Sequence, residues 1–217
     1  MRVTAVLGWL AALALAVGLV LALLVAPREL TQGNVQRIMY LHLPAIFVAY
    51  LAFVVAFAAS VVYLWKRAAV ADWLAYASVE IGVLFTGINI ASGAIWGKPT
   101  WGTWWTWDAR LTSVAVMFVI YVGYLLVRQA TDDPERGARF AAVIAIFAPA
   151  NIPLVHFSVY WWRTLHQPAS LLRPGSPSMP PSLWLIVLFN TLAFALLYAY
   201  FAAKRVGILR AEGAAVR

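Results

Sequence analysis

Six long apolar runs divide the sequence, at residues 5–26, 44–65, 73–95, 109–127, 140–161 and 183–203. Each is close to the roughly 20 residues that a helix needs to cross a bilayer. Lipid offers a backbone no hydrogen-bond partner, so every N–H and C=O inside it must be satisfied within the protein. Continuous apolar runs of this length meet that demand as helices. The predicted class is all-α, a polytopic membrane protein with six transmembrane helices. Composition agrees: 64% of residues are hydrophobic and 11% charged, against about half and a quarter in soluble domains. The 217 residues read as a single transmembrane domain, 1–217. Arg2 before the first run and Ala26 at its end resemble a signal peptide. Its apolar stretch exceeds the usual length, however, and Pro27 would follow the cleavage point, so a retained helix is expected.

The formal charge is +8. The cations do not form a basic patch; they lie at the ends of the apolar runs, where they set topology and meet anionic lipid headgroups. Membrane lipid is thus an expected partner and nucleic acid is not. With the N-terminus inside, ten cations are cytoplasmic: Arg2, Lys66, Arg67, Arg128, Arg136, Arg139, Lys204, Arg205, Arg210 and Arg217. Six are outside: Arg28, Arg37, Lys98, Arg110, Arg163 and Arg173. The bias predicts N-in and C-in. There is no cysteine, which excludes disulfides, thiol redox chemistry, Cys-ligated metal and a Cys-x-x-Cys-His haem attachment site.

The connections differ by side. The inner loops "KRAAVAD" and "RQATDDPERGAR" are short and charged. The outer ones hold "LTQGNVQRIMYLHLP", "WGKPTWGTWWTWDARLTS" (about 96–113) and a Pro- and Ser-rich segment beginning "VYWWRTLHQP". The middle one carries five of the eleven tryptophans. Trp65, Trp73 and Trp184 are explained by the interfacial aromatic belt. Trp101, Trp104, Trp105 and Trp107 are not, because a belt does not crowd indoles into one loop. As a helix, this loop would put Trp101, Trp104, Trp105 and Asp108 on one face; as a strand, Trp101, Trp105 and Trp107.

His42 and His166 fall at the same outer boundary as these indoles, with His156 about two turns deeper in the fifth run. Two imidazoles at one height beside an aromatic wall suit a planar metallocycle. Haem iron takes two axial ligands besides its pyrroles, and His supplies them well. Its flat faces accept indoles, and its propionates want cations. Arg37, Lys98, Arg110 and Arg163 all lie on that side and are the candidate partners.

Other features have plainer readings. Asp108 precedes the fourth run and reads as a helix N-cap. Glu80, the acid well inside a run, is expected to be neutral, to pair with a cation such as Arg67 or Arg128, or to face a partner helix. Asn89 and Ser92 are expected to bond between helices or to lie under the site. "GAIWGKPT" fails as a phosphate loop, being one residue short with Pro in place of Ser or Thr. No set of residues for catalysis emerges, and the chain is not expected to be an enzyme.

"WGKPTWGTWWTWDARLTS" closely resembles the tryptophan-rich (WWD) signature of the membrane haem-handling superfamily. "GNVQRIMYLHLP" and "NIPLVHFSVYWWRTLHQP" resemble the flanking segments of its CcmC branch, the cytochrome c maturation protein C family. The resemblance covers Arg37 to about Gln167. It implies a six-helix haem-handling bundle, N-in and C-in, in a bacterial inner membrane, with an extracytoplasmic Trp-rich loop. It implies haem b held by His42 and His166 as axial ligands, with Trp101, Trp104, Trp105, Trp107 and Arg37 at the same site. The implied partners are the membrane-anchored haem chaperone (protein E), ABC-type ATPase and membrane subunits, and a small single-helix accessory subunit. Tyr160 departs from the family, which carries an acidic residue there. Two rival readings are a permease subunit exporting haem or another solute, and a structural anchor for an ATPase.

Overall fold

The computed structural model describes residues 2–215. Its helices are α1 (Arg2–Val20, continued by a π-helical turn, Leu21–Val25), α2 (Met39–Lys66), α3 (Ala69–Trp101), α4 (Ala109–Gln129), α5 (Pro134–Phe147), α6 (Asn151–Trp161) and α7 (Pro181–Ala215). Helices α5 and α6 are joined by a 3-10 turn, Ala148–Ala150, and form one span. The described residues thus contain six helical spans long and apolar enough to cross a membrane. Pro149 lies in the 3-10 turn; it has no N–H to continue the α-helical ladder.

Helix ends depart from the apolar runs wherever polar residues can still be helical. Helix α3 continues beyond residue 95 to Trp101, where Gly102 in the left-handed region (φ 80°) closes it and donates its N–H to the Lys98 carbonyl at 3.0 Å. Residues 96–101 of the tryptophan stretch are therefore the end of α3, residues 102–108 are irregular, and residues 109–113 begin α4. Neither periodic reading of that stretch holds throughout. Helix α5 starts at Pro134, because Asp133 caps it through Glu135 N–H at 2.9 Å and Arg136 N–H at 3.3 Å. Helix α7 continues beyond 203 to Ala215.

Apolar surface gains nothing by leaving lipid for another helix, so close backbone approach and van der Waals packing must hold a bundle together. Helix α2 is built for this. Ala45, Ala49, Ala52, Ala56 and Ala59 recur at intervals of three and four, and all are buried. Gly82 of α3 lies against the Phe53 ring, leaving no room for a Cβ. Phe53 in turn stacks on Tyr121 of α4, with ring centroids 3.5 Å apart and planes 3° from parallel. Helices α1 and α7 pair through Gly18, whose carbonyl accepts from Asn190 Nδ2 at 3.4 Å.

One end of the bundle is tied by charge. Arg128 of α4 holds Asp72 of α3 with both guanidinium Nη atoms, one contact at 2.8 Å. Glu80 pairs with Arg205 of α7 at 2.6 and 3.0 Å, not with Arg67 or Arg128. Tyr76 lies between the two guanidinium groups, 4.6 Å from Arg128 and 5.5 Å from Arg205. With the charged partners fastened here, the opposite end, where α3 ends and α4 begins, is the end that carries the histidines and the tryptophan stretch.

Candidate functional site

Two adjoining hollows open at the tryptophan end, with about 650 Å³ and about 1020 Å³ of empty space when the open solvent at their mouths is included. Both are lined by His42, Tyr50, Gly93, Trp101, Arg110 and His166. Trp104, Trp105 and Thr106 line the smaller one; Trp96, His156 and Leu171 line the larger. The inner wall of the smaller is Ile46, Val114 and Val155, all buried. Helical spacing explains the membership from α2: His42, Ile46 and Tyr50 lie four residues apart, on one face.

His42 is held by α3. Ser92 Oγ is 2.7 Å from the Ile88 carbonyl, to which it donates, and 3.2 Å from His42 Nδ1. Asn89 Nδ2 lies equally near, 3.2 Å from Nδ1. It is 3.3 Å from Nε2 and donates to the His42 carbonyl at 3.1 Å. Gly93 makes the close approach feasible, because a Cβ there would be 2.9 Å from His42 Cε1. Trp96 meets the ring edge-on at 5.7 Å and donates Nε1–H to Gln32 at 2.7 Å.

His166 follows α6 in an irregular segment. Its ring packs edge-on against Trp101, centroids 4.7 Å apart. Burial, then the nearby Arg110 guanidinium, pull its pKa down from 6.5 to about 4, with Asp108 opposing. The imidazole is therefore neutral at pH 7 and keeps a lone pair. Asp108 is the N-cap of α4, accepting from Leu111 N–H at 2.9 Å; its other oxygen accepts from Leu165 N–H at 3.0 Å.

The other sequence-named residues divide. Trp101, Trp104 and Trp105 line the hollows. Trp107 lines neither; it is 78% exposed and edge-on to Trp105 at 5.5 Å. Arg37 lines neither, and its Nη2 donates to the Ala26 carbonyl at 3.4 Å, at the end of the π turn. Lys98 caps α3 through the Gly102 carbonyl at 3.1 Å. The cation that lines both hollows is Arg110, tied to the Val155 carbonyl at 3.3 Å. The clue to it was its place in the first turn of an apolar helix, where a charge is costly and has a use.

Four polar atoms around the smaller hollow are buried with no partner: Tyr50 OH, Trp105 Nε1, Thr106 Oγ1 and His166 Nδ1. Orphaned donors and acceptors are rare in a protein interior and mark a place built for something polar. Together the pieces offer two neutral imidazoles, flat apolar faces and one cation. That set suits a planar, mostly apolar ligand with a Lewis-acidic centre and an anionic edge.

The family model described as Heme exporter protein C (CcmC) matches residues 1–215. The chain is 43% identical over 210 residues to Heme exporter protein C of Bradyrhizobium diazoefficiens, covering 94% of this chain and 80% of that protein. It is 41% identical over 194 residues to the Haemophilus influenzae protein of the same name, covering 88% and 78%. Against that of Escherichia coli K12 the identity is 40% over 174 residues, covering 79% and 71%. Motif, helical architecture and similarity across nearly the whole chain agree, and the chain belongs to the CcmC family.

Proposed function

We propose that the protein is a haem-handling membrane subunit of the cytochrome c maturation system. It holds haem b as cargo at the tryptophan end of the bundle, with His42 and His166 as axial ligands to the iron. Trp101, Trp104 and Trp105 pack on the disc, and Trp107 stands at the exposed rim. Arg110 neutralises a propionate, with Arg37 as a further cation near the site. The tryptophan end faces the periplasm, N- and C-termini lie in the cytoplasm, and the membrane is the bacterial inner membrane. From there haem passes to the membrane-anchored chaperone, with ABC-type subunits and a small single-helix subunit completing the complex. The protein itself makes and breaks no covalent bond in this reading.

The observation that carries it is the shared lining. Both imidazoles border both hollows, beside Trp101 and Arg110. The unpartnered polar atoms of Tyr50, Trp105, Thr106 and His166 support a ligand with polar edges. The apolar inner wall favours a site worked from its open end over a permease path through the bundle.

The test is a visible absorption spectrum of the purified protein in detergent, titrated with haemin, beside His42→Ala and His166→Ala. The wild type is expected to give low-spin, six-coordinate bands, and each variant to lose them. A wild type that takes up no haem, or a double variant with unchanged low-spin bands, overturns the reading.

A further inference from the structure

Asp108 does two things at once. One carboxylate oxygen caps α4 through Leu111 N–H at 2.9 Å; the other accepts from Leu165 N–H at 3.0 Å. Leu165 directly precedes His166, and Asp108 directly follows Trp107, the last indole of the tryptophan loop. The two candidate ligands are supported very differently. His42 is in the middle of a hydrogen-bonded set with Asn89 and Ser92 on a neighbouring helix. His166 is on irregular chain and its enclosed Nδ1 has no partner. A contact with Trp101 packs its ring, and the Asp108–Leu165 bond fastens its backbone to the bundle.

We propose that Asp108 is the positioning residue that latches His166 into the site, making His166 the ligand released first when the tryptophan loop is engaged. The proposal rests on the haem reading above. Haem bound between two histidines must lose one before it can be taken, and the less supported one leaves at lower cost. A partner meeting the exposed Trp104 and Trp107, 56% and 78% exposed, pulls on the segment that ends at Asp108. Opening the Asp108–Leu165 bond frees the backbone of His166 while the other oxygen keeps α4 capped. His42 stays in place on α2.

The carboxylate alone can accept two N–H bonds with two separate oxygens. Asp108→Asn keeps a good N-cap but has one acceptor oxygen and so loses one bond. Leu165→Pro deletes the donor from the other side and leaves Asp108 intact. Each purified variant is loaded with haemin, its spectrum recorded, and haem loss followed by transfer to excess apomyoglobin. Both variants are expected to show part of the haem as high-spin, five-coordinate species, restored to low-spin by added imidazole. Haem loss should be about tenfold faster than in wild type, the scale of one charge-assisted hydrogen bond partly exposed to water. The Asp108→Asn, His166→Ala double variant should behave as His166→Ala alone.

Wild-type spectra and loss rates in Asp108→Asn overturn the latch while leaving the haem site standing. So does an effect in Asp108→Asn with none in Leu165→Pro, or a double variant worse than His166→Ala. A wild-type protein without low-spin haem overturns the site itself.

Discussion

Ser92 helps to hold the His42 ring in place. Its hydroxyl donates to the Ile88 carbonyl at 2.7 Å and its oxygen is 3.2 Å from Nδ1, the same distance as Asn89 Nδ2. Outer partners of this kind orient a ligand's ring, and their loss costs about 10–100-fold in affinity. Ser92→Ala should therefore weaken haemin binding by about that factor in a titration, with the fold unchanged. Gly93→Ala should do more, because its Cβ would meet the imidazole at 2.9 Å and turn it from the hollow; loss of the low-spin bands is the readout. His166 gives a pH test. Its pKa is depressed to about 4, so protons compete with iron for its lone pair only near that pH. An ordinary imidazole would begin to lose the contest below about pH 6.5. Haemin affinity should thus stay level from pH 7.5 to 5.5. The linkage to stability has the opposite visibility. The unfolded chain takes up the proton below about pH 6.5 and the folded one does not, so the empty protein loses stability as pH falls from about 6.5 toward 4.

At the scale of elements, the stripe of alanines on α2 sets how closely α3 can approach. Ala52 is fully buried. Ala52→Leu would force methyl groups into backbone contact, a cost of about 1–3 kcal/mol, and should lower the thermal midpoint of the detergent-solubilised protein. It should also loosen haemin binding, because His42 on α2 and Asn89, Ser92 and Gly93 on α3 meet across this same contact. The helices were legible because lipid imposes a length and a polarity that few other folds share. Their ends were less so. Hydropathy stops at residue 95, but Lys98, Pro99 and Thr100 are still helical, since a helix leaving the membrane loses its apolar residues before its hydrogen bonds. The tryptophan stretch defeated periodicity because it holds two conformations, a helix end and an irregular turn. The shared boundary of His42 and His166 was legible, and both line the hollows. Which of the four cations lines the hollows was not legible, because sequence gives a residue's height and not its facing: Arg37 turns to Ala26, and Arg110 lines both hollows. The second oxygen of Asp108 was invisible for a similar reason, since Leu165 is 57 residues away in the chain.

For the whole molecule, the proposed orientation rests on where the cations are used. Six alternating spans put both ends of the described chain on the side of the Asp72–Arg128 and Glu80–Arg205 pairs. The excess of lysine and arginine on that side is the basis for the proposal that it is cytoplasmic. The six cations of the other side weaken a simple count, yet several are tied into structure. Arg110 lines the hollows, Arg37 is bonded to Ala26 and Lys98 caps α3. Taken off the count, along with the ion-paired Arg128, Arg139 and Arg205 of the other side, they leave seven cations against three. The absence of native cysteine makes the test clean. Ser176→Cys lies in the exposed segment after α6, and Ala130→Cys in the exposed turn after α4. In intact cells whose outer barrier admits a small, membrane-impermeant maleimide, Ser176→Cys should be labelled and Ala130→Cys should react only after the inner membrane is opened. The reverse pattern would turn the site toward the cytoplasm and remove any route from it to a periplasmic acceptor. Adding haemin before the maleimide sharpens the result. Ser176 belongs to the same outer connection as His166, so ligation that orders this connection should slow its labelling and leave Ala130 unaffected.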